Sequence, residues 1–500
     1  MPSETPRTQP DADTAAGQAA LVKPTGFREY DARWILDKEI NLAGIEALGL
    51  GLGTYVHEIG VQPRIVVGHD YRSYSEGVKL ALTKGLVAAG MEVLDIGLAL
   101  SPTAYYAQFD LEAPCVAMVT ASHNENGWTG VKMGAQPPLT FGPDEIGRLK
   151  AIVLGGEGVE RPGGTVTAVE GVKDRYLADI TRRVQLTRPL KVVCACGNGT
   201  AGAFAPHALR AMGVEVVEMD CDLDWTFPRY NPNPEDHEML MAMAQRVRET
   251  GADLALGFDG DGDRCGVVDD AGEEIFADKI GLMLARDLSA LHAGATFVVD
   301  VKSTGLYATD PVLAGNGATT VYWKTGHSYI KRKTVELGAL AGFEKSGHFF
   351  FNPPLGRGYD DGIVAASAVL AMLDRNPGKR LSDLKAALPK AWTSLTMSPH
   401  CADETKYEVV EGVVAEYEAL AASGGKVLGR AITEVITVNG VRVALEDGSW
   451  VLVRASSNKP EIVVVVESTQ GEDDMRALFR EEVKPRLACR PEVGAYNQEI

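Results

Sequence analysis

From about residue 40 to residue 390, the chain alternates between short apolar runs and longer segments whose apolar positions have helical spacing. The run at 65–68 is typical of a buried strand, the segment 76–89 of a helix, and the run at 91–94 of the next strand. The same order of strand, helix and strand returns at 190–196, 201–212 and 214–219, and again at 296–301, 305–316 and 319–323. Units of this kind, repeated about every 100 residues, predict three similar α/β domains.

The C-terminal part of the chain has a different pattern. Apolar and polar residues alternate at 435–443, 450–454 and 462–467, with turn-forming Asn-Gly and Asp-Gly pairs between them. Helical patterns flank these segments at 406–422 and 474–487. This order predicts a smaller α+β domain with an antiparallel sheet.

We therefore predict an α/β protein with four domains and a short tail. The predicted segments are a disordered tail at 1–20 and domains at 21–168, 169–275, 276–390 and 391–500. The tail is rich in Pro, Thr, Asp and Ala and lacks the basic start and apolar centre of a signal peptide.

Composition narrows the class of function. The formal net charge is −19, which argues against nucleic acid or an anionic membrane as the main partner. No apolar run approaches the length of about 20 residues that spans a bilayer. Seven cysteines, an odd number, suggest reduced thiols and a cytoplasmic protein. Cys194 and Cys196 are the one close pair, and their strand-like surroundings predict core thiols and not a zinc knuckle.

The segment 257–264 reads Gly-Phe-Asp-Gly-Asp-Gly-Asp-Arg and carries the strongest chemical signal. Three carboxylates at this density repel one another unless a divalent cation lies among them, and the glycines let the backbone turn tightly enough for them to converge. A helix-loop-helix calcium site requires Gly at its sixth position and Glu at its twelfth, where this chain has Arg264 and Asp270. A magnesium site that serves phosphate chemistry fits better.

A second polar segment, 120–127, follows the apolar run 115–119 and reads Thr-Ala-Ser-His-Asn-Glu-Asn-Gly. Ser122 at the end of a strand could be a nucleophile, although serine and asparagine are also ordinary turn residues. A Ser-His-Asp hydrolase is disfavoured because the chain has no Gly-x-Ser-x-Gly here, and because adjacent Ser122 and His123 point apart on an extended backbone.

Together, the segments 120–124 and 257–264 resemble the α-D-phosphohexomutase superfamily. Further segments resemble its motifs in the same order: the N-terminal Phe-Arg-Glu-Tyr-Asp-Ala-Arg at 27–33, Thr-Gly-His-Ser at 325–328, the sugar-binding Glu-Lys-Ser-Gly-His at 344–348, and the phosphate-binding Arg-Ala-Ser-Ser-Asn-Lys-Pro at 454–460. The chain departs from the family at Trp34, where glycine is usual, and at 457–459. The resemblance implies three similar α/β mixed-sheet domains plus a smaller C-terminal α+β domain around a central cleft.

The resemblance also implies roles for individual residues. In the family the serine, here Ser122, carries a phosphoryl group, and the three aspartates hold magnesium together with it. The implied catalytic residues are Ser122, Lys132, Arg33, Arg264, His348 and His123. The implied metal ligands are Ser122, Asp259, Asp261 and Asp263. The implied substrate-binding residues are Tyr30, Lys302, Thr325, Gly326, His327, Glu344, Ser346, Arg454, Ser456, Ser457 and Asn458.

From this resemblance we expect a Mg²⁺-dependent phosphohexomutase that interconverts hexose 1-phosphate and hexose 6-phosphate, for mannose, glucose or both. Its expected activator and intermediate is glucose 1,6-bisphosphate, and its expected partners are small hexose phosphates. Phosphoglucosamine mutase is the alternative within the superfamily. A metal-dependent sugar phosphatase and a non-catalytic sugar-phosphate sensor are alternatives from other classes.

Overall fold

The computed structural model describes residues 19–457 and 459–500. The predicted disordered tail lies almost wholly outside these residues, so its conformation stays a prediction. The described chain forms two compact units. Unit 1 contains the described residues of Met1–Glu274 and Pro353–Leu381, and unit 2 contains the described residues of Ile275–Asn352 and Ser382–Ile500. Among the described residues, no helix has both the length and the apolar character needed to cross a bilayer.

The first part of unit 1 is a six-stranded mixed sheet with helices. Its strands are β1 (Ala32–Ile35), β2 (Arg64–His69), β3 (Glu92–Leu98), β4 (Cys115–Val119), β5 (Trp128–Ala135) and β6 (Thr165–Ala168), in the spatial order β1-β5-β4-β2-β3-β6. Its helices are a 3₁₀ helix at Pro24–Gly26, α1 (Leu42–Glu58), α2 (Ser75–Ala88), α3 (Ser101–Asp110), α4 (Pro143–Gly155) and α5 (Val172–Thr181). Strands β2, β3, β4 and β6 are parallel, whereas β5 is antiparallel to β4 and β1.

Close packing of α1 on α2 depends on glycine. A Cβ atom on Gly49 would lie 2.2 Å from the carbonyl oxygen of Leu82, and one on Gly85 would lie 2.0 Å from that of Glu46. Both separations are too short for any side chain, so the two helix backbones approach each other directly.

The second sheet of unit 1 has five strands. They are β7 (Lys191–Ala195), β8 (Glu215–Met219), β9 (Leu254–Phe258), β10 (Cys265–Asp269) and β11 (Glu274–Ile275), in the order β11-β10-β9-β7-β8. The accompanying helices are a 3₁₀ helix at Thr200–Ala203, α6 (Ala205–Ala211) and α7 (His237–Thr250), and α12 (Gly362–Asp374) also belongs to unit 1. Strand β9 is buried at every position, as expected for a central strand in a mixed sheet.

Unit 2 contains two further sheets. The strands β12 (Thr296–Asp300), β13 (Thr319–Trp323), β14 (Ala341–Phe343) and β15 (Phe349–Phe351) form one sheet in the order β13-β12-β14-β15. The strands β16 (Trp392–Thr393), β17 (Lys426–Val427), β18 (Arg430–Ile436), β19 (Val441–Leu445), β20 (Trp450–Ala455) and β21 (Ile462–Ser468) form an antiparallel sheet in the order β16-β21-β20-β19-β18-β17. The helices are α8 (Ala277–Leu291), α9 (Leu306–Thr309), α10 (Pro311–Gly315), α11 (His327–Glu336), α13 (Leu381–Ala386), α14 (Lys406–Ala422), α15 (Glu472–Ala477), a π-helix at Leu478–Val483 and α16 (Lys484–Ala488).

The predicted fold class is confirmed, because mixed α/β sheets are followed by an antiparallel C-terminal sheet. The predicted domain boundaries stay predictions. Some predicted elements differ in detail: the helix predicted at 305–316 is broken into α9 and α10 because Pro311 cannot continue a helix. The segment predicted at 435–443 spans a hairpin, since the Asn-Gly pair at 439–440 turns the chain between β18 and β19.

Glu467 is a buried charged residue that links the two sheets of unit 2. Its carboxylate accepts hydrogen bonds from the Thr304 hydroxyl at 2.9 Å, the Gly305 N–H at 2.7 Å and the Trp450 indole at 2.9 Å, and Lys279 Nζ lies 3.3 Å away. Burial raises the pKa of Glu467, but the charge of Lys279 and the hydrogen bonds outweigh it and lower the pKa to about 2. The ionised carboxylate therefore stabilises unit 2.

Replacing Glu467 with glutamine is expected to lower the free energy of unfolding by about 3 kcal/mol at neutral pH, because the depressed pKa represents that much stabilisation. The folded-state pKa lies below that of an unfolded glutamate. The contribution is therefore present above about pH 4.5 and is lost as the pH falls towards 2. Urea unfolding at a series of pH values measures it, with exposed Glu411→Gln as the control. A difference between wild type and E467Q that does not shrink below about pH 4 would contradict the assignment.

Candidate functional site

The short loop 259–264, which we call the aspartate loop, joins the antiparallel strands β9 and β10 and contains Asp259, Asp261 and Asp263. Gly262 has a φ angle of +73°, a conformation that glycine adopts without strain, and this allows the tight turn. All three carboxylates are fully buried, and one oxygen of each lies within 4.8 Å of the others. The convergence of the three side chains, which the sequence pattern predicts, is therefore present. We call Ser122, Lys132 and these three aspartates the serine–aspartate cluster.

Ser122 lies beyond the C-terminal end of β4, against the aspartate loop. Its φ angle is +51°, in the left-handed region, and its N–H donates to the Thr120 hydroxyl at 2.8 Å. Its hydroxyl donates to Asp259 Oδ2 at 3.1 Å and lies 3.3 Å from His123 Nδ1. The expectation that Ser122 and His123 point apart is wrong, because it assumed an extended backbone at Ser122. A strained backbone at a nucleophile candidate is typical of functional loops.

The aspartate loop approaches the segment 120–127, which we call the serine loop, so closely that only glycine fits at position 260. A Cβ atom on Gly260 would lie 2.5 Å from the Ser122 carbonyl oxygen, and Thr200 N–H also donates to the Gly260 carbonyl oxygen at 3.1 Å. The distance between the Ser122 hydroxyl and Asp259 therefore depends on the absence of a side chain at this position.

The substitution Gly260→Ala is expected to lower turnover about 100-fold, because displacement of a reacting group by about 1 Å has an effect of that size. Overpacking should also lower the free energy of unfolding by about 1–3 kcal/mol. Steady-state kinetics and urea unfolding measure the two effects. Gly77→Ala is the control, since a Cβ atom at that helical position meets nothing within 4 Å. Wild-type turnover in G260A would show that the close approach of the loops is not required.

Lys132, on β5, supplies the positive charge of the cluster. Its Nζ atom donates to Asp261 Oδ2 at 2.7 Å and forms a shorter contact with Asp263. Although burial lowers the pKa of Lys132, the charges of Asp261 and Asp263 raise it well above the usual value, so the lysine is protonated. Ser101, at the start of α3, donates to Asp261 Oδ2 at 2.6 Å and was missed by the sequence analysis.

The cluster fits a divalent cation. Burial, and then the charges of Asp263 and Asp261, raises the pKa of Asp259 well above its usual value. For Asp261, burial also raises the pKa, but the charge and hydrogen bond of Lys132 lower it. Among the residues that the structure describes, Asp261 Oδ1 is buried and accepts no hydrogen bond. A buried carboxylate oxygen without a donor, beside two more carboxylates, is the kind of ligand set that a hard cation takes.

Arg72 and Asp70, which the sequence analysis also missed, shape the serine loop. Arg72 donates to the carbonyl oxygen of Ser122 at 3.0 Å and to that of Asn124 at 2.6 Å. Asp70 Oδ2 accepts from the Thr120 hydroxyl at 2.8 Å and lies 3.3 Å from Arg72 Nε. Both residues follow the end of β2, next to β4 in the sheet. Polar residues at the C-terminal end of a neighbouring parallel strand were the one signal that could have indicated them.

Arg33 faces the same serine loop. Its guanidinium donates to Asp31 Oδ2 at 2.8 Å and to Asn124 Oδ1 at 2.7 Å. The neighbouring Trp34, where the family usually has glycine, is buried. A Cβ atom on Gly26 would overlap the Trp34 indole at 1.8 Å. The Trp34 indole therefore packs on Gly26 in the core, and Arg33 still contacts Asn124 in the serine loop.

Arg264 follows the third aspartate and is mostly buried. Its N–H donates to Asp259 Oδ1 at 3.2 Å, its Nε lies 3.8 Å from Asp259 Oδ2, and its Nη1 lies 3.4 Å from Glu235. The predicted residue Tyr30 is partly buried near the start of β1. Unit 1 thus brings Ser122, His123, Lys132, Arg264 and the aspartates together.

In unit 2, Glu344 and His348 bound the turn between β14 and β15. The Glu344 N–H donates to the His348 carbonyl oxygen at 2.9 Å, and Ser346 Oγ donates to Glu344 Oε1 at 2.8 Å. The His348 ring centroid lies 5.6 Å from that of His327. Burial raises the pKa of Glu344. Within the described chain, Glu344 Oε2 is buried and has no hydrogen-bond partner, so it is an available acceptor.

The loop that contains Thr325 and Gly326 precedes α11 in the same unit. Gly326 has a φ angle of +131°, which favours glycine. Thr325 Oγ1 donates to Asp300 Oδ2 at 3.2 Å, its N–H donates to Asn439 Oδ1 at 3.4 Å, and Lys302 Nζ lies 4.0 Å from Asp300 Oδ2. Asp300, which ends β12, and Asn439, in the β18–β19 turn, were not predicted as site residues.

The predicted phosphate-binding loop follows β20. Arg454 is mostly buried and donates to the Ala455 carbonyl oxygen at 2.9 Å, while the Ser456 N–H donates to the Glu461 carbonyl oxygen at 3.0 Å. Ser457 is partly buried. Asn458 lies outside the described residues, so its predicted role stays a prediction. A Cβ atom on Gly440 would lie 2.6 Å from the Arg454 Cα atom, so the β18–β19 turn packs directly against the start of this loop.

Comparison with protein-family models gives four matches in chain order. They are described as phosphoglucomutase/phosphomannomutase alpha/beta/alpha domain I at residues 24–158, domain II at 174–272, domain III at 276–392, and the phosphoglucomutase/phosphomannomutase C-terminal domain at 401–484. These matches cover most of the chain.

Individual relatives agree with the family models. A phosphomannomutase/phosphoglucomutase of Pseudomonas syringae pv. tomato is 33% identical over 474 residues, which are 94% of this chain and 98% of that protein. A probable phosphoglucosamine mutase of Methanothermobacter thermautotrophicus is 30% identical over 83% of this chain and 88% of its own length. A crystal structure of a phosphoglucomutase/phosphomannomutase family protein from Burkholderia thailandensis has a TM-score of 0.84 and 29% identity, with 95% and 99% of the two chains covered.

The four-sheet architecture, the buried serine–aspartate cluster and these matches define an α-D-phosphohexomutase. The chain belongs to the phosphoglucomutase/phosphomannomutase family.

Proposed function

We propose that this protein interconverts hexose 1-phosphates and hexose 6-phosphates of glucose, mannose or both, through a phosphoserine at Ser122 and a hexose 1,6-bisphosphate intermediate. The observation that carries this proposal is the Ser122 hydroxyl 3.1 Å from Asp259, beside two more buried carboxylates and the Lys132 ammonium group. A serine that is buried beside three carboxylates and an ammonium group is suited to phosphoryl transfer. Folding alone does not require three carboxylates next to a serine.

In the proposed reaction, the phosphoryl group passes from Ser122 Oγ to a hydroxyl oxygen of the bound hexose monophosphate. The Oγ–P bond breaks, the new O–P bond forms, and the hydroxyl proton goes to a base, for which we propose His348. The protonated Lys132 returns a proton to Ser122 Oγ. The second transfer is the reverse step with the other phosphate of the bisphosphate, which returns the phosphoryl group to Ser122.

Recognition of the sugar must work for two opposite orientations, because O1 and O6 are presented to one serine in turn. We propose that Glu344 and Ser346 bind two ring hydroxyls, since Glu344 Oε2 is an available buried acceptor. Arg454, Ser456 and Ser457 would bind the phosphate that is not being transferred, through a guanidinium, hydroxyls and backbone N–H groups. Further contacts to the bound sugar phosphate are proposed for Lys302, Thr325, Gly326, His327 and Tyr30.

Magnesium is the cation that we propose for the aspartate loop, with Ser122 as the fourth ligand. When bound, it neutralises charge on the phosphoryl oxygens. Arg264, beside Asp259, and Arg33, beside Asn124, add fixed positive charge to the surroundings of Ser122. Glucose 1,6-bisphosphate is the proposed activator because it phosphorylates Ser122. The cytoplasm is the proposed location, since all seven cysteines are thiols.

Phosphoglucosamine mutase activity is the second candidate. It is favoured by the relative of that name, which is 30% identical over 83% of this chain. An amino group in place of one ring hydroxyl would change the recognition of the sugar but would leave the phosphoryl transfer at Ser122 unchanged.

The deciding experiment uses phosphorus and proton NMR to monitor product formation by the purified protein in the presence of Mg²⁺ and a trace of glucose 1,6-bisphosphate. Glucose 1-phosphate, mannose 1-phosphate and glucosamine 1-phosphate are supplied separately. Formation of 6-phosphates from glucose, mannose or both supports the main proposal. Turnover of glucosamine 1-phosphate alone supports the second candidate. Release of inorganic phosphate without any isomer would identify a phosphatase and would overturn both.

A further inference from the structure

Three cysteines of unit 1 lie together in a place that the proposed reaction does not use. The sulfur atoms of Cys194 and Cys196 are 3.8 Å apart, those of Cys196 and Cys221 are 3.6 Å apart, and all three lie within 4.8 Å of one another. All three residues are buried. We call them the thiol cluster.

The sheet topology explains why the three thiols meet. Cys194 lies in β7 and Cys196 just beyond its end, so alternate positions of an extended chain direct both side chains to one face. Cys221 is 25 residues further along and follows the end of β8, which pairs in parallel with β7. Carboxyl ends of neighbouring parallel strands lie at one edge of a sheet, and this brings the third thiol to the other two.

The spacing of the sulfur atoms matches a metal site. With a Zn–S bond of about 2.3 Å and tetrahedral angles, two sulfur ligands are about 3.8 Å apart. The two shortest separations in the thiol cluster are close to this value. The carbonyl oxygen of Cys194 lies 3.2 Å from Cys221 Sγ, so an oxygen atom is also present beside the sulfur atoms.

We propose that Cys194, Cys196 and Cys221 together bind one thiophilic divalent cation of the closed-shell type, such as Zn²⁺ or Cd²⁺, at a site separate from the aspartate loop. Binding deprotonates the thiols and releases the protons to solvent, so three thiolates surround the divalent cation and leave the site with one net negative charge. Soft thiolate ligands prefer such cations, whereas carboxylate oxygens prefer Mg²⁺, and the two sites therefore select different metals.

The thiol cluster is connected to the aspartate loop through a short segment of backbone. The Gly199 N–H donates to the Cys196 carbonyl oxygen at 2.8 Å, and the Thr200 N–H donates to the Gly260 carbonyl oxygen at 3.1 Å. A cation bound by Cys196 would therefore also restrict the position of the segment 196–200, whose Thr200 N–H donates to Gly260.

The test is a titration of the reduced full-length protein with Cd²⁺ in excess Mg²⁺, followed by the ultraviolet thiolate-to-cadmium charge-transfer absorption. We expect one equivalent of Cd²⁺ to bind with the intensity of three thiolates. Cys196→Ser and Cys221→Ser should each lose most of this absorption. Cys401→Ser removes a buried thiol outside the cluster, Cys489→Ser removes the exposed one, and neither should change it.

Two further measurements keep the proposal testable if a cluster variant fails to fold. X-ray absorption spectroscopy of Zn²⁺-loaded C489S protein should show about three sulfur neighbours at about 2.3 Å. The Asp261→Asn variant should retain the cadmium absorption, because this substitution lies in the aspartate loop and not in the thiol cluster. A shell of oxygen and nitrogen neighbours, or a cadmium absorption that C489S abolishes, would overturn the proposal. So would an absence of stoichiometric binding by the wild-type protein.

Discussion

Replacement of Ser122 with alanine is expected to reduce conversion of hexose 1-phosphate to hexose 6-phosphate by at least about 10⁴-fold, because the variant has no oxygen to carry the phosphoryl group. Binding of glucose 1-phosphate should remain within a few-fold of wild type, since all the proposed sugar and phosphate contacts except Tyr30 belong to unit 2 and none of them is Ser122. The rate is measured by NMR or a coupled assay, and binding by calorimetry. Phosphorylation of the protein by glucose 1,6-bisphosphate should also disappear.

Ser101→Ala is the matched control for this prediction. Ser101 is a buried serine whose hydroxyl donates to Asp261, so it belongs to the same surroundings but does not face the proposed reaction. Its removal deletes one hydrogen bond, worth about 1 kcal/mol, and should lower turnover by about 10-fold or less. Near-normal turnover by S122A would exclude the phosphoserine, and equal losses in S122A and S101A would indicate a structural role for both serines.

The substitution Asp261→Asn is expected to reduce Mg²⁺-dependent turnover by at least about 10³-fold while the protein stays folded. The change removes one negative charge and replaces one carboxylate oxygen with an amide nitrogen, which is not a ligand for Mg²⁺. It also removes one of the two charged partners of Lys132, whose Nζ lies 2.7 Å from Asp261 Oδ2 and also contacts Asp263. Turnover is measured over a titration of Mg²⁺, and folding by urea unfolding.

Asp236→Asn is the control for the loss of a carboxylate. Asp236 caps α7 by accepting hydrogen bonds from the N–H groups of Glu238 and Met239, and asparagine caps a helix about equally well. The turnover of the D236N variant, and the dependence of that turnover on Mg²⁺, should match those of the wild type. If wild-type turnover persists in the presence of a chelator, the metal assignment of the aspartate loop is wrong.

Local sequence signals predicted the parts of the site whose chemistry lies in one short segment. The aspartate loop could be identified because three carboxylates and two glycines are adjacent in the chain, and the residues flanking them are strand-like. Ser122 could be identified as a candidate because it follows an apolar run, although its left-handed backbone, and therefore its contact with His123, could not. The fold class followed from the strand and helix periodicities, which each element carries in its own residues.

Contacts between distant segments were not predictable in this way. Arg72 reaches Ser122 across 50 positions of the chain, and Ser101 reaches Asp261 across 160. Cys221 joins a cysteine pair that sequence spacing indicated to be only core thiols. For Arg72 and Cys221, the partner depends on which strand ends are neighbours in one sheet. Ser101 and Asp261 follow strands of two different sheets of unit 1. A local sequence pattern specifies neither kind of contact.

The residue types and their spacing along the chain were thus sufficient for the class of fold, the cluster of three carboxylates and the candidate nucleophile, because these depend on periodicity and on groups a few positions apart. The orientation of Ser122, the buried charge of Lys132 and the thiol cluster depended on the folded chain. They arise from backbone conformation and strand order, which fix distances and burial only after segments far apart in sequence have packed together.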